Sequence, residues 1–282
     1  MGVRKETRDA IIVMAAAALV IIGAFIGIGT ASGVSPSQTI VESGSMQHGN
    51  VSMIGIIDTG DAVILKSKEK ADIVSYIEGY DTGYETFGGY GSVIIYERGS
   101  TENPVIHRAI LWLEYNEKTK TWSAPPLAKY PEDMWACSGG NDPYSLKGTL
   151  TLKGLGWRNN SGTSINLDDL ANRFPHSGYL TMGDNNSAFD QPSNVMGVTG
   201  LITLEQIKSV AWIEIPWIGA LKMWYSGETE NLDRYAPNTI PCLIVAIISL
   251  ISFAIGISFL ADHIYYRRYR KKLHEEMNAP AP

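Results

Sequence analysis

The chain has 282 residues, long enough for one or two domains, and carries 29 acidic against 23 basic side chains, a net charge of −6. That balance offers no basic surface for nucleic acid. Two cysteines and the lack of any Cys/His spacing exclude a disulfide framework and give no reason to expect a metal or other cofactor.

Arg4, Lys5 and Arg8 stand in a short N-terminal stretch, residues 1–9, and from Ala10 to Gly29 no charged residue follows. A run of that length spans the hydrocarbon core as a helix, so a first transmembrane helix is expected over residues 10–32. Gly29-Thr30-Ala31 resembles a leader-cleavage site, but the run is longer than the apolar core of a cleavable leader, and a retained anchor is the reading adopted. A second charge-free core lies at Ile240–Ala261. It predicts a transmembrane helix over 237–264, followed by a tail over 265–282 that opens with Arg267, Arg268, Arg270, Lys271 and Lys272. Basic flanks at both ends place both termini in the cytoplasm. Residues 33–236 then form an extracytoplasmic domain on a multi-pass membrane protein. Between Gly33 and Thr239 acidic residues outnumber basic ones by nine. A solvated outer face accounts for that excess.

Within this domain the pattern is mostly β. Thr39-Ile40-Val41 reads as an extended lead into Ser43-Gly44-Ser45-Met46, and Asp58-Thr59-Gly60-Asp61 as a turn. Short β-branched runs at Ala62–Leu65, Asp72–Tyr76, Val93–Tyr96 and Val105–Ile110 read as strands, and Leu111–Trp122 as a hairpin. Residues 79–92, rich in Gly and Tyr, suit a loop or wide hairpin. Between 124 and 177 the alternation weakens, with loop signals and one short helical stretch at Leu167–Phe174, and the segment reads as an insertion. Strands return at Tyr179–Met182, Val195–Ile202 and Val210–Ile215, and the aromatics of Pro216–Tyr225 suit a headgroup-level surface. The expected fold is an antiparallel β ectodomain flanked by two transmembrane α-helices.

A serine hydroxyl needs a base within hydrogen-bond reach to act as a nucleophile at neutral pH. Of the five histidines, His263 and His274 fall beyond the second apolar run, while His48 and His176 read as solvated loop residues. His107 alone stands in a β-branched run, where a rigid strand can aim it.

Ser43-Gly44-Ser45-Met46, Val105-Ile106-His107-Arg108 and Gly183-Asp184-Asn185-Asn186 resemble, in order and setting, the motifs of type I signal peptidases. The likeness is to the archaeal and endoplasmic-reticulum branch, which uses histidine as base. Gly60-Asp61-Ala62-Val63, Asp72-Ile73-Val74 and the stretch from Ile202 to Gly219 agree with it, and the resemblance covers about residues 10–122 and 179–225. It implies Ser45 as nucleophile, His107 as general base, and Asp190 and Asp184 as the acidic partners, either of which could meet His107. It also implies Ser43 as an oxyanion donor beside the Ser45 N–H, with Met46 completing the motif at the substrate-binding turn. The implied substrates are preproteins with small residues at the first and third positions before the cut. The bilayer and secretion-machinery subunits are the other implied partners. The chain departs from the family pattern at His48, where proline is usual, at Ala71, at Met182 and in the long interval from His107 to Asp184. Those departures keep open a relative dedicated to one substrate class, with residues 124–177 as its recognition surface, or a silent membrane-anchored binding module.

Overall fold

A computed structural model describes residues 19, 23, 24, 26–97, 104–158, 162–191 and 200–277. Most of the expected first span, and the run Val195–Val198 of one expected strand, lie outside the described residues. Of that span, residues 26–32 are helical.

The body is built from antiparallel strands: β1 (Gln38–Ile40), β2 (Ala62–Ser67), β3 (Glu85–Thr86), β4 (Gly89–Tyr90), β5 (Val93–Tyr96), β6 (Val105–Asn116), β7 (Thr121–Ser123), β8 (Trp135–Cys137), β9 (Thr149–Leu152), β10 (Thr163–Asn166), β11 (Gly178–Met182) and β12 (Ile207–Ile215). The main sheet runs β1-β2-β12-β5-β6-β11, with β7 paired to the far end of β6. β1 is its short edge, pairing Gln38 with Ile64 and Ile40 with Ala62. The described residues of 124–177 form regular elements rather than an open loop. They supply a three-stranded sheet, β10-β9-β8, and a helix at Leu167–Arg173 capped by the Asn166 side chain. Leu146, Leu150, Leu152, Leu155 and Leu170 from this segment share one apolar core with Ile110, Leu111, Leu180 and Met182 of the main sheet.

One expected strand is corrected. Asp72–Tyr76 does not pair; the chain instead starts a helix, Tyr76–Thr82. Ser75 caps it by accepting from the Glu78 N–H while the Glu78 side chain accepts from the Ser75 N–H. That reciprocal S-x-x-E pairing satisfies two donors a helix start leaves free, and it outweighs the β-branched residues upstream.

The central element is β6, twelve residues long. Its first half pairs Val93 with Arg108 and Ile94 with His107 on one side, and Met182 with Arg108 on the other. Successive side chains of a strand point to opposite faces. His107 and Arg108 therefore serve different neighbourhoods.

After β12 come two short helices, Gly219–Ser226 and Glu230–Tyr235, and then a helix of 39 residues, Thr239–Met277. Over Thr239–Lys271 this helix is long and apolar enough to cross a membrane, with a mean hydropathy of 2.7 in its most apolar window. Leu243 at its base is buried, and from Ile244 to Ile264 its Ile, Leu and Phe side chains stand exposed. Both cysteines are free, Cys137 in β8 and Cys242 in this helix.

Candidate active site

The Ser43–Met46 turn follows the edge strand β1. Val41 closes it onto the body, its N–H donating to Asp61 O at 3.0 Å and its carbonyl accepting from the Gly60 N–H at 2.9 Å. Met46, one residue past the serine, is buried in a cluster with Ile57, Val63, Leu65 and Ile95. Burying such a side chain is worth about 1.5–3 kcal/mol, so Met46 pins the turn from below. It does not line the cleft; its part in the turn is support.

Above Met46, Ser45 is half-buried, and its Oγ lies 3.0 Å from Nε2 of His107. His107 Nδ1 lies 2.8 Å from Oδ2 of Asp190. The same Asp190 oxygen accepts the Tyr96 hydroxyl at 2.6 Å, and the Tyr96 oxygen accepts from Thr181 Oγ1 at 3.2 Å. Of the two carboxylates left open by the sequence, Asp190 thus touches the imidazole. Burial by itself would raise the Asp190 carboxyl, but the His107 charge and hydrogen bond, with Thr181 and Tyr96, hold it below its ordinary 3.8.

Asp184 belongs to a second arrangement on the other side of β6. Arg108 grips it at both oxygens, Nε to Oδ1 at 2.7 Å and Nη2 to Oδ2 at 2.5 Å. His48 Nε2 lies 3.1 Å from the same Oδ2. His48 is therefore not solvated, as its sequence setting suggested, but buried and stacked against Trp157 with the ring centroids 6.4 Å apart. Burial would raise the Asp184 carboxyl as well, yet the Arg108 charge and hydrogen bonds, with those of His48, hold it low. Arg108 Nη1 donates to carbonyls of the β3–β4 hairpin region, among them Thr86 and Gly91 at 3.0 Å each. A buried guanidinium with its donors satisfied is what such a charge requires.

The loop 183–190 brings both carboxylates to the turn because it is short and begins with glycine. A Cβ on Gly183 would lie 2.6 Å from Ser45 O and 2.9 Å from His107 Nε2, so no other residue fits there. The next residue ties the loops together: Asn185 N–H donates to Ser45 O, and its Nδ2 donates to Gly44 O, each at 2.8 Å. Arg158, from the 124–177 segment, donates to Asn185 Oδ1 at 2.8 Å.

Ser43 is exposed, with its Oγ 3.3 Å from Ser45 Oγ. The Ser45 N–H has no acceptor among the described residues, and the Ser43 hydroxyl beside it touches only Ser45 Oγ among them. All of this opens onto a cleft of about 720 Å³ lined by Thr39–Ser45 on one wall, Pro104–His107 on the other, and Asn185, Lys222, Glu228 and Tyr235 at the rim. Among the described residues no His, Cys, Asp and Glu group is arranged to hold a metal ion.

Sequence reasoning picked out Ser45, His107, Asp190, Asp184 and Ser43. It missed Tyr96, Arg108, His48 and Asn185 as members of the two networks. Arg108 carried a signal, a charged residue inside a β-branched run; Tyr96 carried none, since an aromatic in a strand is ordinarily core. Comparison of the chain with protein-family models, curated proteins and solved structures found no match.

Proposed function

We propose that this protein is a membrane-bound serine endopeptidase of the signal-peptidase type, cleaving preproteins at the extracytoplasmic face of the membrane. The observation that carries this is the hydrogen-bonded line Ser45–His107–Asp190 opening onto a cleft bordered by an edge strand. His107 Nε2 takes the Ser45 proton as Oγ attacks the scissile carbonyl, and returns it to the leaving amine. Asp190 accepts the Nδ1–H, fixes the tautomer and balances the imidazolium; the Tyr96 hydroxyl holds that carboxylate in place. The oxyanion is held by the Ser45 N–H and the Ser43 hydroxyl, donors commonly worth about 2.7–4 kcal/mol each. The acyl-enzyme is then hydrolysed by water through the same imidazole.

The main chain of Thr39–Val41 and of Val105–His107 suits an extended peptide lying along the cleft. A helix of membrane-spanning length and composition next to it suits a substrate that arrives in the bilayer. In this reading the N-terminal run is a second span and both termini are cytoplasmic. The replacement of proline by His48 does not point to a silent module, because His48 is absorbed by Asp184 and leaves the Ser45–His107 contact intact.

The test is cleavage of a synthetic preprotein by the full chain in lipid nanodiscs. Cutting after a small residue, abolished when the residues at the first and third positions before the cut become Trp, is expected. Cleavage indifferent to those positions, or none across several preproteins, would contradict the proposal.

A further inference from the structure

The residues just before the long apolar helix reach into the nucleophile turn. Gln47, two residues past Ser45, is fully buried. Its Nε2 donates to Tyr235 O at 2.7 Å, and its Oε1 accepts from Thr59 Oγ1 at 2.6 Å. Thr239, the first residue of the long helix, donates from Oγ1 to Thr59 O at 3.2 Å. One residue earlier, Asn238 clasps the main chain of Ser52: its Oδ1 accepts the Ser52 N–H at 2.7 Å, and its Nδ2 donates to Ser52 O at 2.9 Å.

The Tyr235 ring completes the tie. A Cβ on Gly44 would stand 2.6 Å from Tyr235 Cδ1, so the ring lies directly on the Gly44 backbone while its open side lines the cleft. The Gly44 peptide supplies the Ser45 N–H, and the turn it forms sets the distance between the Ser43 and Ser45 hydroxyls. None of the Gln47, Tyr235 or Asn238 contacts touches Ser45 Oγ. They fix the backbone that aims it.

We propose that Tyr235 and Gln47 are positioning residues that lock the Ser43–Ser45 turn onto the base of the Thr239–Met277 helix, so that the anchoring helix sets the aim of the nucleophile. This rests on the reading of Ser45 as nucleophile given above. Two alternatives fit the same residues less well. If Tyr235 were only a wall for substrate, its contact with Gly44 would be unneeded. If Gln47 were only a core filler, an apolar side chain would serve, whereas its amide spans two segments remote in sequence and satisfies a carbonyl at the helix base.

The experiment uses the full chain in phosphatidylcholine–phosphatidylglycerol nanodiscs, with preprotein cleavage and the labelling rate of a fluorophosphonate probe as readouts. Tyr235→Ala should lower kcat and the labelling rate by roughly 10- to 100-fold with KM within about two-fold, the size expected when a reacting group is misplaced by about 1 Å. Tyr235→Phe keeps the ring on Gly44 and should stay within about two-fold of wild type. Gln47→Met, close in shape but unable to bond Tyr235 O or Thr59, should fall in the same direction and serves if Tyr235→Ala does not fold. Wild-type rates in both Tyr235→Ala and Gln47→Met, or a loss confined to KM, would overturn the inference while leaving Ser45 as nucleophile. A wild-type chain that neither cleaves nor labels would overturn the reading of Ser45 and this inference with it.

Discussion

Two buried histidine–carboxylate pairs stand side by side in this molecule, and they differ in what the second face of each pair meets. His107–Asp190 and His48–Asp184 have similar separations, 2.8 and 3.1 Å, and both carboxylates come from one loop. In the first pair the other imidazole nitrogen faces Ser45 Oγ, and the carboxylate oxygen that meets His107 also accepts the Tyr96 hydroxyl. In the second pair Arg108 neutralises Asp184, and His48 stacks on Trp157 instead of facing a hydroxyl. On the proposed reading, a histidine beside an aspartate is chemistry in one place and joinery in the other. What separates them is the third group.

If that distinction holds, substitutions should divide cleanly. The largest effect is expected from His107→Ala, which removes the base in contact with Ser45 and should lower kcat by about 10⁴-fold or more without unfolding the chain. Next is Asp190→Asn, which keeps the shape but lets the imidazole take the wrong tautomer; a loss of roughly 10³- to 10⁴-fold in kcat with KM little changed is expected in the same cleavage assay. An Asp190→Asn enzyme near wild-type rate would erase the difference between the two pairs.

On the other side, Arg108→Met leaves Asp184 buried without its main counter-charge. Chemical denaturation should show a loss of about 3–5 kcal/mol, with protein that still folds retaining its pH profile of activity. His48→Asn, which keeps a donor near Asp184, should cost about 1 kcal/mol and change kcat by less than about ten-fold. A His48→Asn loss as large as that of Asp190→Asn would mean that both pairs belong to the reaction.

Stability against pH has two opposite contributions. Asp184 and Asp190 are held below 3.8 in the fold, so the unfolded chain takes up protons first as pH falls. The stability they lend is complete above about pH 4 and is lost as pH drops through their depressed values. Asp61 behaves the other way: burial, abetted by Glu214 and Asp58 and opposed by the Trp217 and Asp58 N–H groups, pushes it up to about 8. The fold keeps a proton there that the unfolded chain sheds near its ordinary 3.8, so stability should decline from about pH 4 to about pH 8. Thermal unfolding across that range should show a falling midpoint that flattens in Asp61→Asn.

Ser45 and His107 were paired through the family resemblance; the residues alone offered only a small-residue turn after an apolar run and a histidine in a β-branched strand. Asp184 and Asp190 could not be separated, since six residues of loop place either near the base. The choice is made by the register of β11 on β6, which sets Arg108 beside Met182 and so captures Asp184. His48 was misread for a related reason. Its burial comes from Trp157 and Asp184, residues more than a hundred positions away, which no local pattern reveals. The helix after Asp72 had a legible start in Ser75–Glu78, but the β-branched residues before it pointed to a strand. Residues 124–177 looked irregular because their strands are three or four residues long, too short for alternation to register, yet their leucines close the main core.

The most direct test of the whole account is processing of a reporter preprotein in membranes that carry either the wild-type chain or Ser45→Ala and lack other peptidases of this kind. Processing by wild type that disappears in a folded, inserted Ser45→Ala protein is the predicted result. Equal processing by the two would contradict it.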